Sequence, residues 1–175
     1  GVGVTLLVTA ISMVIATVLA VVLAAMRLSS NPVMVTFSSA FVWLFRGTPL
    51  LVQIVIWGYF GLIFEKITLG IPFTDIVFWQ IDTNVLISAF VAGILALTLN
   101  EAAYAAEIVR SGMLSVDEGQ KEAAASLGMS PLYTFTQILL PQAMRVIIPP
   151  MGNELISMIK NTSLLSLIAV SEVYT

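Results

Sequence analysis

Asn100-Glu101 and Asn153-Glu154 each set an amide beside a carboxylate, and each pair lies inside an otherwise apolar stretch. Glu101 precedes Arg110 by nine residues, and Glu154 follows Arg145 by nine. If both arginines mark one membrane boundary, helical rise sets each carboxylate about 13 Å inside it, at a shared depth. Ionisable groups at that depth are costly and are functional candidates by default. Two carboxylates repel each other, and a bound cation relieves the repulsion. Arginine, lysine or histidine would be suitable guests. Asn100 and Asn153 could hydrogen-bond an α-carboxylate or an α-amino group. Tyr104 lies at i+3 from Glu101 and can share its helix face. The structural alternatives are pairing of either glutamate with Lys160 or Arg46, protonation of a carboxyl, and plain helix packing for Tyr104. Spacing alone does not make the two glutamates converge.

Composition says what must position these groups. The 175 residues are 59% hydrophobic and 10% charged, with a mean hydropathy of +1.04. A soluble domain carries about 25% charged residues, so the expected solvent is the bilayer. The absence of Cys and His removes disulfides, thiolate metal sites and the usual general base. A net charge of −3 offers no basic footprint for nucleic acid. No basic segment precedes the first apolar run, so no signal peptide is read. The chain is expected to be a piece of a longer protein.

Val2 to Met26 carries no charge and is long enough for a transmembrane helix. Arg27 to Phe45, with Phe37, Phe41 and Trp43, suits an interfacial connection. Thr48 could cap a second span over Pro49 to Phe64, with Pro49 as its first residue. Glu65 to Thr83, with Gly70, Pro72, Asp75 and Asp82, reads as an external loop. A third span covers Asn84 to Glu107 and is expected to be interrupted at Asn100 and Glu101. A fourth, Ala143 to Lys160, is expected to be broken by Pro149, Pro150 and Gly152, as helices lining transporter sites are. The reading is all-α: a polytopic transmembrane bundle, one domain over residues 1–175, with four spans visible and a fifth expected beyond Thr175. Placing Arg27, Arg46, Arg110, Lys121 and Arg145 inside leaves Lys66 and Lys160 outside, which sets the N-terminus outside.

A water-exposed loop over about 111–142 is then cytoplasmic. Ser115 with Glu118 matches a capping box. Gly128 falls where a left-handed residue ends a helix. Ser130 and Pro131 suit the start of a second short helix, and Pro141 would stop or kink it. Alanines at 123, 124 and 125 give a low-relief face that another protein can approach closely.

The spacing of Glu122, Ala123, Ala124, Gly128, Ile138, Leu140 and Pro141 resembles the EAA loop of membrane subunits of ABC importers. FRGTPLLVQ (Phe45–Gln53), NEAAYAAEIVRSG (Asn100–Gly112) and GNELISMIKNTSLLSLI (Gly152–Ile168) are similar to the subfamily that imports polar amino acids. The resemblance implies the type I ABC importer permease fold. It implies a permease subunit of a prokaryotic plasma membrane that dimerises, as a homo- or heterodimer. Two cytosolic ATP-binding subunits and an external solute-binding protein would be its partners. It implies that Gln120, Glu122, Ala123, Ala124 and Gly128 couple to the ATPases. The chain itself would be no enzyme and bind no cofactor, ATP and Mg residing on the partners; no phosphate-binding loop of the Walker type occurs in the sequence. The competing reading is an ion-coupled secondary transporter or channel, which leaves the EAA helix without a purpose. An intramembrane enzyme is disfavoured, because none of Asp75, Asp82 or Asp117 falls in a span.

Overall fold

A long run without charge leaves the backbone one way to satisfy its polar groups in apolar surroundings, which is to bond within a helix. In the computed structural model, which describes residues 2–70 and 77–168, that run is α1 (Val2–Arg27). One face of α1 carries the buried Ala16, Ala20 and Leu23. The opposite face exposes Leu7, Val14, Val18 and Val21, which suits contact with lipid tails.

The partner of the alanine face is α6 (Ala89–Leu114). Ala102, Ala105 and Ala106 of α6 meet Ala16, Ala20 and Leu23 of α1 in one buried cluster. Val8, Ile54, Ala92, Ala96, Leu97 and Leu165 form a second. Small residues let helix backbones approach closely, and close packing is what associates helices where no water is displaced. The Ser88 side chain accepts from the Val91 N–H at the start of α6. The helix begins five residues after the expected Asn84 and runs unbroken through Asn100 and Glu101. The residues before it form a separate turn, α5 (Thr83–Leu86), capped by Asp82.

The segment expected as an interfacial connection is a regular helix, α2 (Pro32–Gly47), with the Asn31 side chain accepting from Val33 N–H. It is followed by α3 (Leu50–Gly58) and the short α4 (Phe60–Ile63). The axes of α2 and α3 differ by 99°. Thr48 is therefore the C-terminal boundary residue of α2, and Pro49 rather than Thr48 occupies the cap of α3. The expected external loop contains an antiparallel hairpin, β1 (Lys66–Gly70) with β2 (Val77–Asp82). Pro72 and Asp75 lie outside the described residues. The hairpin is an addition to a helical fold.

After α6 come α7 (Glu118–Ser126) and α8 (Pro131–Thr134), then a π-helical turn over Phe135–Leu139. The chain continues as α9 (Leu140–Asn161) and a 3₁₀ segment, Thr162–Ile168. Three prolines behave differently from what the sequence predicts. Pro141 neither stops nor breaks the chain: the π turn, in which Leu140 N–H bonds to Phe135 O five residues back, absorbs the irregularity just before it. Pro149 and Pro150 lie inside a continuous α9. Its buried Ala143, Ile147 and Met158 anchor it, and packing overrides the local preference.

Among the described residues, α1 and α6 are long and apolar enough to cross a membrane, and the bent α2–α3 pair can count as a third span. The fourth expected span, α9, is long enough at 22 residues but carries Gln142, Arg145, Asn153, Glu154 and Lys160. The expected fifth lies outside the described residues.

The α6–α9 crossing depends on Gly112. A Cβ there would run into the Ile147 side chain and approach Ala143 O to 3.4 Å. Gly112→Ala is expected to destabilise the fold by about 1–3 kcal/mol, the usual cost of overpacking. Thermal unfolding in detergent would show it as a lowered midpoint, and the same change should cost less in an Ile147→Ala background, where the clash is gone. A midpoint unmoved by Gly112→Ala would mean that the helices are not held this close.

Candidate functional site: a polar pocket within the helices

The 99° bend between α2 and α3 creates the site. The last carbonyls of a helix have no partner within it, and here three side chains supply donors. Asn100 Nδ2 donates to Phe45 O at 3.0 Å. Gln53 Nε2 lies 2.9 Å from the same carbonyl, 3.1 Å from Thr48 O and 2.9 Å from Thr48 Oγ1. Thr48 Oγ1 donates to Leu44 O at 2.8 Å. The bend is thus pinned from its own C-terminal side by Gln53 and from α6 by Asn100.

Beneath it lies a cavity of about 390 Å³. The bend contributes Arg46 and Thr48, α6 contributes Asn100, Glu101 and Tyr104, and α9 contributes Glu154 and Asn161. The two carboxylates noted in the sequence therefore face one space. Glu101 is only 6% exposed, and its Oε1 has no hydrogen-bond partner among the described residues. Glu154 is half-buried. Arg46 stacks over the Tyr104 ring, 5.1 Å from its centroid, close enough for a cation–π attraction. No ion pair joins Glu101 or Glu154 to Arg46 or Lys160 among the described residues.

Of the residues picked from the sequence, Asn100, Glu101, Tyr104 and Glu154 line the pocket, and Asn153 does not. Asn153 is exposed. It precedes Glu154 on α9, so a rotation of about 100° turns it away. Arg46, Thr48 and Asn161 line the pocket too, although the sequence suggests Arg46 as an ion-pair partner and Thr48 as a helix cap. The signal for Arg46 and Thr48 is the cluster Arg46-Gly47-Thr48-Pro49, polar and helix-breaking between two apolar runs. Such a cluster is tolerated at membrane depth only where it lines a cavity or is buried in protein.

A second charged group ties the ends of α1 and α6. Glu107 Oε2 accepts from Arg27 Nη1, and Glu107 Oε1 accepts from Arg110 Nε at 3.0 Å. The i,i+3 pair of Glu107 with Arg110 was legible in sequence; the bond from Arg27, 80 residues away, was not. Glu107→Gln leaves two guanidiniums sharing a neutral amide. It is expected to destabilise the protein by about 2 kcal/mol, since the groups are only partly exposed and charge-assisted bonds exceed neutral ones. Chemical denaturation would show the loss, and Arg27→Gln combined with it should cost less than the two single changes added.

The polar element after α6 is built by its caps. Asp117, with extended backbone, accepts from Gly119 N–H at 2.7 Å and starts α7. The expected capping box at Ser115 is not formed. Ser115 is still in helical conformation at the end of α6, and its hydroxyl donates to Gly112 O. At the other end Gly128 has φ +72°. Met129 N–H bonds to Ala124 O and Gly128 N–H to Ala125 O, the paired closure of a Schellman ending. Ser130 Oγ accepts from Tyr133 N–H and starts α8. Glu122 and Ala123 are exposed and Ala124 is buried. Gln120 Oε1 accepts from Gln142 Nε2 at 3.3 Å, which braces α7 against α9. Among the described residues no group of three or more His, Cys, Asp or Glu is placed to hold a metal ion.

Comparison with known proteins places this architecture. The chain is 49% identical to the arginine transport system permease protein ArgU of Corynebacterium glutamicum over 168 residues, which is 95% of this chain and 51% of that one. It is 37% identical to the L-cystine transport system permease protein TcyB of Bacillus subtilis, over 99% of this chain and 66% of that one. The arginine transport system permease protein ArtQ of Bacillus subtilis is 35% identical, over 99% of this chain and 71% of that one. The chain thus spans about half the length of the first relative and about two thirds of the other two. A crystal structure of an amino acid ABC transporter with histidines superposes with a TM-score of 0.75 at 35% identity, covering 94% of this chain and 68% of that one. An inward-facing structure of the MetNI methionine ABC transporter shares the fold at a TM-score of 0.67 and 21% identity, over 94% of this chain and 70% of that one. The family described as binding-protein-dependent transport system inner membrane component matches residues 4–173, and the chain belongs to that family.

Proposed function

We propose that this chain is the membrane-spanning permease subunit of an ABC importer, carrying polar and preferentially cationic amino acids into the cell. The single observation that carries this reading is the convergence of Glu101 and Glu154, with Asn100 and Tyr104, on one pocket between membrane-length helices. The names of the arginine permeases among its relatives support the substrate class. In this reading the guest's cationic end lies toward Glu101 and Glu154. Asn100 and Thr48 help hold the bend that shapes the pocket. Asn153, exposed on α9, would act only if α9 turned.

ATP hydrolysis takes place on two cytosolic partner subunits, and an external binding protein delivers the amino acid. A second permease subunit completes the pore. The N-terminus lies outside and the loop at about 111–142 inside, as the distribution of Lys and Arg suggests. Residues 1–175 act as one permease domain. The helix α7, with Gln120, Glu122, Ala123 and Ala124 and with Gly128 in the turn that ends it, seats in the ATPase and carries its closure to α6 and α9. The brace from Gln120 to Gln142 offers a direct mechanical link.

Reconstitution of hydrolysis tests this assignment. The purified permease alone should hydrolyse no ATP. With both ATPase subunits it should support hydrolysis that loaded binding protein stimulates. Hydrolysis by the permease alone, or gradient-driven flux with no ATPase present, would refute it.

A further inference from the structure

A second cavity, of about 440 Å³, lies between the ends of α1, α2 and α6. Arg27, Ser39, Trp43, Arg46, Tyr104 and Glu107 line it. Arg46 and Tyr104 also line the first pocket. Their stacked pair is therefore a wall between the two spaces. On α6 the residues Glu101, Tyr104 and Glu107 follow at intervals of three, a ridge that winds around the helix from the first pocket to the second over about 9 Å of rise. On α2 the residues Ser39, Trp43 and Arg46 stand at i, i+4 and i+7, on one face.

The two pockets differ in the sign of their charge. The first has Glu101 and Glu154 against Arg46. The second has Arg27 and Arg46 against Glu107, and Glu107 is further shared with Arg110. Two guanidiniums facing one cavity suit a carboxylate, which they can bind in bidentate fashion. Arg46 serves both spaces: it stacks on the Tyr104 ring, and among the described residues no ion pair fixes its guanidinium. Cation–π attraction at a partly exposed site is weak, about 1 kcal/mol, so an incoming carboxylate can draw the guanidinium off the ring.

We propose that the α1–α2–α6 pocket is a second, cytoplasm-side station for the transported amino acid, receiving its α-carboxylate on Arg27 and Arg46 once Arg46 leaves Tyr104. This rests on the permease reading above. The cationic end stays attracted to the acidic pocket while the carboxylate end is drawn onward, so the amino acid moves lengthwise. The positive excess of the second pocket also opposes free passage of small inorganic cations.

These 175 residues contain no cysteine, so in a transporter whose other cysteines are replaced by serine, Ser39→Cys is the single thiol, on the wall of the second pocket and away from the first. The transporter would be assembled with its ATPase subunits and binding protein in liposomes and treated with thiosulfonate reagents of opposite charge. Their rates would be normalised to a free thiol. The anionic reagent should react about tenfold faster than the cationic one, a typical electrostatic enhancement. Saturating arginine should slow the labelling severalfold. The labelled transporter should lose most ATP-driven uptake yet still bind arginine. Fast labelling with unchanged uptake, no protection by arginine, or a thiol inert to both reagents in an active transporter would each overturn the proposal. Should Ser39→Cys fail to assemble, Trp43→Cys on the same face gives the same test. Absence of ATP-driven uptake by the unsubstituted transporter would instead remove the permease reading itself.

Discussion

Glu154→Gln is expected to lower uptake of arginine about 10- to 100-fold while leaving uptake of a neutral polar amino acid within a few-fold. The magnitude follows from losing one charge-assisted contact, worth about 1.5–3 kcal/mol. Glu154 is the better choice of the two carboxylates. Glu101 is almost fully enclosed by packing, so its replacement mixes folding with binding. Glu154 is half-buried on α9 and faces the same cavity, so a guest can reach it. Glutamine keeps the shape and removes the charge. A role limited to helix packing would lower all substrates together. Equal loss for arginine and glutamine in parallel uptake measurements would therefore assign Glu154 to structure.

Gly128→Val should uncouple hydrolysis from transport. Gly128 has φ +72°, where a left-handed backbone costs a side-chain-bearing residue about 1–2 kcal/mol and a β-branched one more. The surroundings add nothing, since a Cβ at Gly128 would meet no atom within 4 Å. The penalty is therefore purely conformational, and it falls on the two bonds that close α7, from Met129 N–H and Gly128 N–H. If that ending unwinds, the exposed face of α7 loses its fixed orientation. Stimulation of ATP hydrolysis by loaded binding protein should fall about tenfold, with the assembled complex still recoverable. Gly128→Asn should retain most of the stimulation, because Asn visits the left-handed region far more readily than Val. Equal behaviour of the Asn and Val variants would show that the backbone conformation at 128 is not what matters.

Much of this was legible in the sequence because the signals were local. A charge-free run of membrane length is visible without a structure, and α1 follows it within a residue. Gly128, Ser130 and Pro131 act through their immediate neighbours, and each behaves as its type predicts. That Glu101 and Glu154 line one pocket accords with their equal counts to Arg110 and Arg145. Local signals misled where distant packing decides. Pro149 and Pro150 stay inside α9 because its far side is buried against α6 around Gly112. Ser115 matched a capping box by letter, yet α6 runs on to Leu114 and takes its hydroxyl. Arg46 and Thr48 were harder still. Their place in the pocket depends on the bend of α2 against α3, held by Gln53 and by Asn100, 55 residues from the carbonyl it binds. The bond from Arg27 to Glu107 is of the same kind.

If the proposed function holds, amino acids cross only when partner subunits hydrolyse ATP. The most direct measurement is uptake of labelled arginine into liposomes holding the permease and its two ATPase subunits, with loaded binding protein outside and ATP inside. The predicted result is accumulation that stops when ATP is replaced by a non-hydrolysable analogue and persists when ion gradients are collapsed. Accumulation that survives without hydrolysable ATP, or vanishes with the gradients, would rule out ATP-driven import by this permease.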